Sequence, residues 1–285
     1  MPLLGIDELE RISPIFRGKA GNALSRALMR FLAVDKVNDL YDRNSVVNGP
    51  DFASAVLNDI GMKYDVGFED TVDMLDSMQD TLSALTGEGP FITISNHPCG
   101  HVDGIMLVDL FGHLRPDYKV MVNQILARIE PLEDSFIPVT PTGSSRTAPT
   151  AASVSGIKAA LKHLRSGGGL GLSPSGAVSD LSLKDRCVRD REWQEAVVRL
   201  IMKAQVPVIP VRFFDGNSGF YYSLGLIGWM VRLLRLPAEV FNKKGRTMHI
   251  GIGPVISVEE QKRFGTDIGA FRAFLRERVY DMTRD

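Results

Sequence analysis

Phe91-Ile92-Thr93-Ile94-Ser95-Asn96-His97-Pro98-Cys99-Gly100-His101-Val102-Asp103-Gly104-Ile105-Met106-Leu107-Val108 is the stretch that decides the fold class. Its first five residues are apolar or β-branched and read as a short buried strand. Pro98 and Gly100 stop that strand in a sharp turn. After Asp103-Gly104 the apolar run Ile105 to Val108 opens a helix, placed over roughly 104–111. Strand, turn and helix in this order form the unit from which parallel sheets are assembled.

The same alternation continues toward the C-terminus. Short strand-like runs occur at Tyr118 to Asn123, Phe136 to Val139, Gly169 to Leu172, Val208 to Phe214 and Thr247 to Ile252. Helical patterns separate them at Ala151 to Ser166, Glu192 to Lys203 and Val258 to Asp281. The expectation is an α/β domain over 89–285, with a mostly parallel, buried central sheet flanked by helices. Residues 1–88 read differently. Apolar positions recur there at helical spacing, over Asn22 to Leu32, from Pro50-Asp51 to Ile60 and over Glu69 to Leu85, and little reads as strand. This predicts a helical N-terminal region with membrane contact as one of its roles. Thr140 to Ser155 is rich in Ser, Thr, Pro and Ala and reads as a mobile loop.

Composition narrows the function classes. The 285 residues carry 33 basic and 34 acidic side chains, a formal net charge of -1, so no global basic field points to nucleic acid. Two cysteines, Cys99 and Cys187, are too few for a disulfide scaffold, and a cytoplasmic setting is the expectation. The apolar stretch from Gly216 to Val231 is too short and too polar for a spanning helix, which needs roughly 20 apolar residues. Phe220 to Leu236 instead combines Tyr221, Tyr222 and Trp229 with leucines and with Arg232 and Arg235. That composition suits either a bilayer interface or a buried helix of the fold.

His97 lies at a strand end, where a rigid scaffold holds a side chain open to a ligand. A neutral imidazole takes a proton from an attacking hydroxyl near pH 7 and returns it to a leaving group. Asp103 would orient the ring and stabilise the imidazolium. Backbone N–H groups at the start of the following helix would serve a developing oxyanion. Two other readings stay open at this point: a metal held by His97, His101 and Asp103, and a Cys99 thiolate activated by His97. A second constellation follows the glycine-rich strand Gly167 to Leu172: Ser173-Pro174-Ser175-Gly176-Ala177-Val178-Ser179-Asp180. There a Pro/Gly/Ser turn lets main-chain amides approach an anionic or carbonyl group.

Asn96-His97 with an aspartate shortly after resembles the first motif of the glycerolipid, or lysophospholipid, acyltransferase superfamily (PlsC-like). That motif usually leaves four residues between His and Asp. The five here, Pro98 to Val102, are similar to a bacterial branch labelled hemolysin-like or ornithine-lipid and glycine-lipid O-acyltransferases. His101 stands where that branch commonly has glycine. Ser173 to Ser179 resembles the third motif, Phe-Pro-Glu-Gly-Thr-Arg-Ser, with Pro174, Gly176 and Ser179 retained but Ser173 for Phe, Ser175 for Glu and Val178 for Arg. Val206 to Val211 is similar to the fourth motif, and Phe136 to Val139 sits where the second belongs.

The resemblance implies a general base at His97 and an orienting carboxylate at Asp103. Substrate contacts fall on Asn96, Gly100, Asn123, Ser175, Gly176 and Ser179. Arg146 is either a displaced polar contact or a solvated loop arginine. It also implies a fatty acyl donor in thioester form, acyl carrier protein or coenzyme A, with the carrier protein preferred, and no cofactor or metal. Val178 cannot grip a phosphate as arginine does. The implied acceptor is therefore a lyso-lipid of the N-acyl amino-acid type, ornithine or glycine, at the cytoplasmic surface of the inner membrane. Two alternatives accompany this reading: a lysophospholipid or 1-acylglycerol-3-phosphate acyltransferase, and a non-catalytic lipid-binding protein on the same fold.

Overall fold

Every residue of the strand Phe91–Ser95 is buried, the pattern of a strand covered on both faces. The computed structural model describes residues 32–68, 74–139 and 151–284, with Gly18, Asn22, Ala23, Arg26, Met29 and Arg30. The Asn22 to Leu32 helix and Arg146 thus fall mainly or wholly outside the described residues.

In chain order the elements are α1 (Val34–Asn44), α2 (Gly49–Ile60), β1 (Lys63–Phe68), α3 (Met74–Thr86), β2 (Phe91–Ser95), α4 (His101–Leu114) and β3 (Lys119–Asn123). Two 3₁₀ turns, Gln124–Arg128 and Glu130–Ser135, lead to β4 (Phe136–Val139). Then come α5 (Ala151–Arg165), β5 (Gly169–Leu172), β6 (Asp180–Ser182), β7 (Cys187–Arg189), α6 (Glu195–Ala204) and β8 (Val208–Phe213). The chain closes with α7 (Gly219–Ile227), α8 (Trp229–Phe241), β9 (Thr247–Ile252), α9 (Val258–Lys262) and α10 (Ile268–Tyr280).

Seven strands form one sheet in the order β1-β9-β8-β2-β5-β3-β4. All neighbours are parallel except β8 and β9, so β1 and β9 run against the other five. β6 and β7 form a separate antiparallel hairpin. One face of the sheet packs on α2 and α4 through Phe52, Leu57, Met106 and Phe111. The other packs on α5, α6 and α10 through Leu164, Ile201, Phe271 and Leu275. β2 lies between β8 and β5, all three parallel. Their C-terminal ends therefore deliver three loops to one edge, the usual ligand position of an open α/β sheet.

Three differences from the sequence reading have local causes. Residues 63–68, read as part of a helical region, are a strand paired residue for residue with β9. Lys63-Tyr64-Asp65-Val66-Gly67-Phe68 is an edge strand with no buried residue, so it carries no apolar signal. The pattern read as one helix from Val258 to Asp281 is two, because Gly265 turns the chain at φ 52° and Asp267 caps the second helix through Ala270 N at 2.9 Å. Residues 151–155, included in the mobile-loop reading, belong to α5.

Candidate active site

β2 ends at Ser95, and the next residue fixes the loop. The Asn96 side chain donates to Phe213 O at 2.8 Å and accepts from Phe213 N at 2.8 Å, sealing β2 to the end of β8. Its amide is buried in that exchange. His97 follows at the open edge, its side chain 22% exposed.

Helix α4 begins at His101, not after Gly104, and Asp103 is the reason. Its Oδ2 accepts from Cys99 N at 2.8 Å and Gly100 N at 3.0 Å, while Asp103 N donates to Gly100 O at 3.0 Å. This is the reciprocal arrangement of a capping box, with the carboxylate at the positive end of the helix. The same Oδ2 lies 3.1 Å from His97 Nδ1, off the line of an ideal N–H···O bond. Such bonds often tighten only when substrate is bound. Asp103 is fully buried. Burial alone would lower the basicity of His97, but the Asp103 contact and charge, with a contribution from Asp190, outweigh it and hold the imidazole above its ordinary value. With Nδ1 turned to Asp103, Nε2 is the nitrogen available to a substrate.

The amides expected at the oxyanion are partly engaged elsewhere, since those of Cys99 and Gly100 serve Asp103. The remaining first-turn amides are those of His101 and Val102. Gly100 itself sits at φ 77°, and a Cβ there would lie 3.1 Å from Val178 and 3.2 Å from Leu236. The left-handed backbone favours glycine there, and a side chain would also press on Val178 and Leu236.

The loop after β5 meets His97 through its main chain, Ser179 N donating to His97 O at 2.9 Å. Ser179 Oγ donates to Asp190 Oδ1 at 2.6 Å, and His97 N donates to the same oxygen at 3.1 Å. Ser175 Oγ donates to Ala177 O at 2.7 Å, closing the turn on itself. Gly176 sits at φ 62°, where a Cβ would strike the Gln194 amide. Val178 is buried against Tyr221, Tyr222 and Leu236. Asn123, at the end of β3, caps the following 3₁₀ turn by accepting from Ile125 N at 3.2 Å.

Three charged groups around the loops are not placed at the site by the sequence, where Arg232 reads only as part of an interfacial or buried helix, because their partners are far along the chain. Asp190 is one. Arg232, from α8, donates to Ser179 O at 3.0 Å and Val178 O at 3.2 Å, pairs with Asp180, and lies over the Tyr221 ring. Lys243 is buried and donates to Asn217 Oδ1 at 2.6 Å, and Asn217 in turn donates to Pro98 O at 3.2 Å. The loop after β8 thus supports the turn that carries His97.

Cys99 is buried, and burial first, then the negative charge of Asp103, pushes its thiol well above the ordinary value. A thiolate nucleophile is disfavoured there. His101 is driven down to about 4 by burial, with the His97 and Lys243 charges acting in the same direction, so it is neutral at pH 7. It borders a cavity of about 200 Å³ whose wall is made by Val56, Leu57, Ile60, Val102, Ile105 and Val240 from α2, α4 and α8. Among the described residues no three His, Cys, Asp or Glu side chains are placed to hold a metal ion.

An imidazole backed by a buried carboxylate, with helix-terminal amides beside it and an apolar cavity adjoining, suits acyl transfer to a hydroxyl. Comparison of the sequence with protein families and curated relatives agrees. The chain is 25% identical over 238 residues to the lyso-glycine lipid O-acyltransferase of Bacteroides thetaiotaomicron, covering 80% of this chain and 79% of that one. The protein of the same name from Phocaeicola vulgatus is 26% identical over 287 residues, covering 96% and 94%. Among solved structures, the 1-acyl-sn-glycerophosphate (LPA) acyltransferase PlsC from Thermotoga maritima aligns at TM-score 0.45 and 14% identity, over 90% of this chain and 91% of that one. A family model described as acyltransferase matches residues 70–284, a span that holds His97, Asp103 and every element from α3 onward, and the chain belongs to that acyltransferase family.

Proposed function

We propose that this acyltransferase moves a fatty acyl group from an acyl carrier protein thioester to the hydroxyl of a lyso-lipid of the N-acyl amino-acid type, ornithine or glycine. The observation that carries the reading is the His97–Asp103 pair at the open edge of the sheet. His97 Nε2 takes the hydroxyl proton as the acceptor oxygen attacks the thioester carbonyl. The amides of His101 and Val102 face the developing oxyanion, and collapse breaks the C–S bond. The imidazolium then returns its proton to the departing thiolate. Asp103 holds the Nδ1–H tautomer throughout.

The apolar cavity beside His101 supports a fatty rather than a polar acyl group, since each methylene buried there contributes about 0.8 kcal/mol. The names of the two bacterial relatives support an amino-acid lipid as acceptor, as does Val178, which leaves this turn without a phosphate-gripping arginine. The bacterial resemblance favours the carrier protein over coenzyme A as donor.

We also propose the inner surface of the cytoplasmic membrane as the place of reaction, with α7 and α8 as the contact. Phe220, Ile227 and Trp229 are 60%, 77% and 58% exposed on this hairpin, joined by Leu226, Leu233 and Leu234. No Asp or Glu lies between Asp215 and Glu239, so nothing anionic is desolvated when that face meets lipid. Among the described residues no helix is long and apolar enough to cross a membrane.

The test is direct. Purified protein is given carrier-protein thioesters and a panel of lyso-lipids, and free carrier thiol is measured. Release with lyso-glycine or lyso-ornithine lipid, lost in His97→Ala, is the expected result. Release only with lysophosphatidate moves the reading to glycerophospholipid synthesis, and no release with any acceptor overturns it.

A further inference from the structure

Asp190 has no part in the chemistry proposed above, yet the site is built around it. It lies between β7 and α6, 3% exposed, followed by two exposed residues, Arg191 and Glu192. Its Oδ1 accepts from His97 N and Ser179 Oγ, and its Oδ2 accepts from Trp193 Nε1 at 3.0 Å. The main chain of Asp190 is fixed from α10, its N–H directed to Tyr280 Oη at 2.8 Å and its O accepting from Arg276 at 3.0 Å. Among the described residues no cation forms an ion pair with this carboxylate. Burying a carboxylate that way is costly unless its oxygens are fully hydrogen-bonded, and here three donors converge on it.

His97 is therefore held by both main-chain groups. Its N–H ends on Asp190 and its O on Ser179 N, while Ser179 Oγ closes the circuit back to Asp190. With both groups anchored, the backbone of His97 has little freedom to rotate, and the loops after β2 and β5 are locked together at the base.

The geometry points to Asp190 as a positioning residue for acyl transfer, whose carboxylate fixes the main chain of His97 against Ser179 so that the imidazole meets the acceptor hydroxyl in one orientation. This rests on His97 acting as the base. Misplacing a catalytic group by about 1 Å costs on the order of 10²-fold in rate, without necessarily weakening substrate binding.

The carboxylate also contributes charge. The titratable groups around the imidazole are Asp103 and His101 from α4 and Asp190 from the β7–α6 segment, while Lys243 acts on His101 and Cys99. Burial lowers His97, and the two carboxylates raise it. A base works when neutral, so removing the Asp190 charge lets His97 lose its proton at lower pH. The acid limb of the kcat profile then moves down.

The experiment compares full-length wild type, Asp190→Asn, Ser179→Ala and His97→Ala, using a palmitoyl thioester of acyl carrier protein and a lyso-glycine lipid, with thermal melts as the check of folding. In Asp190→Asn the expected kcat falls about 10²-fold, both KM values stay within about threefold, and the acid limb moves to lower pH. Ser179→Ala keeps both main-chain bonds to His97 and the charge, and removes the Oγ link that ties the two anchors together. Its kcat falls roughly tenfold with the limb unmoved, and it carries the test where Asp190→Asn fails to fold. Wild-type kcat and limb in folded Asp190→Asn, or a loss confined to KM in either variant, overturns the assignment of Asp190 alone. Turnover surviving in His97→Ala overturns the base and its positioning residue together.

Discussion

The two sides of the loop from Asn96 to Asp103 are built on opposite principles, and two histidines four residues apart mark them. On the His97 side the loop is held by directed hydrogen bonds: Asn96 with Phe213, Asp103 with the amides of Cys99 and Gly100, Asp190 with His97, Ser179 and Trp193. On the His101 side the wall is mostly apolar, drawn from α1, α2, α4, α8 and the 3₁₀ turns after β3, with Arg128 among its lining residues. The same burial that is opposed by carboxylates at His97 acts unopposed at His101, and the two rings move in opposite directions from one ordinary value. Directional chemistry is fixed by hydrogen bonds, whereas a fatty chain needs only shape and the absence of polar groups. Mutations on the two sides should therefore fail differently, the first in turnover and the second in chain selection.

The largest effects belong to the polar side. His97→Ala is expected to lower kcat at least 10³-fold, and Asp103→Asn by about 10²–10⁴-fold, with KM for the thioester little changed. Asp103 raises the basicity of His97, so its neutralisation also moves the acid limb of the residual activity to lower pH. A pH series on Asp103→Asn by thiol release checks both. An acid limb that stays in place would mean that another group is titrating.

Smaller effects are expected across the cavity. Val56→Trp fills space bordered by Val102 and Ile105. Shortening the accommodated chain by two methylenes costs about 1.6 kcal/mol, roughly tenfold in kcat/KM for long thioesters. Short thioesters should keep near wild-type kcat. A uniform loss over all chain lengths would move the acyl chain out of this cavity. On the outer face, Ile227→Glu and Trp229→Glu are each expected to weaken co-sedimentation with vesicles roughly tenfold or more, while turnover of detergent-dispersed substrate persists. Unchanged sedimentation would detach α7 and α8 from the membrane.

The sheet interior was legible because its strands Phe91 to Ser95, Val208 to Phe213 and Thr247 to Ile252 are short runs dominated by apolar and β-branched residues. β1 was not, since an edge strand buries none of its side chains. The pairing of His97 with Asp103 was legible because both lie on one turn. Asp190, Arg232 and Lys243 were not, as their meaning depends on partners that topology supplies: His97 and Ser179 for the first, the Val178 and Ser179 carbonyls for the second, Asn217 for the third. Helix α4 starts three residues before the position the sequence predicts for the same kind of reason, since Asp103 caps the amides of Cys99 and Gly100 as well as facing His97.

The smallest expected effect sharpens the contrast most. Cys99 stands between the two sides, its Sγ 3.8 Å from Asp215 O and its backbone N–H on Asp103. Were acyl transfer to run through a cysteinyl thioester, Cys99→Ala would abolish turnover. The side chain is buried and its thiol held well above the ordinary value by burial and the Asp103 charge, so little thiolate exists to attack. Alanine keeps the backbone N–H that Asp103 needs and removes one sulfur from the packed core. The expected outcome is a stability loss of about 1 kcal/mol, with kcat within a few-fold of wild type. Denaturant melts and thiol release on the same preparation measure the two separately. A melt unchanged beside a dead enzyme would put the nucleophile on Cys99 and reduce His97 to its activator.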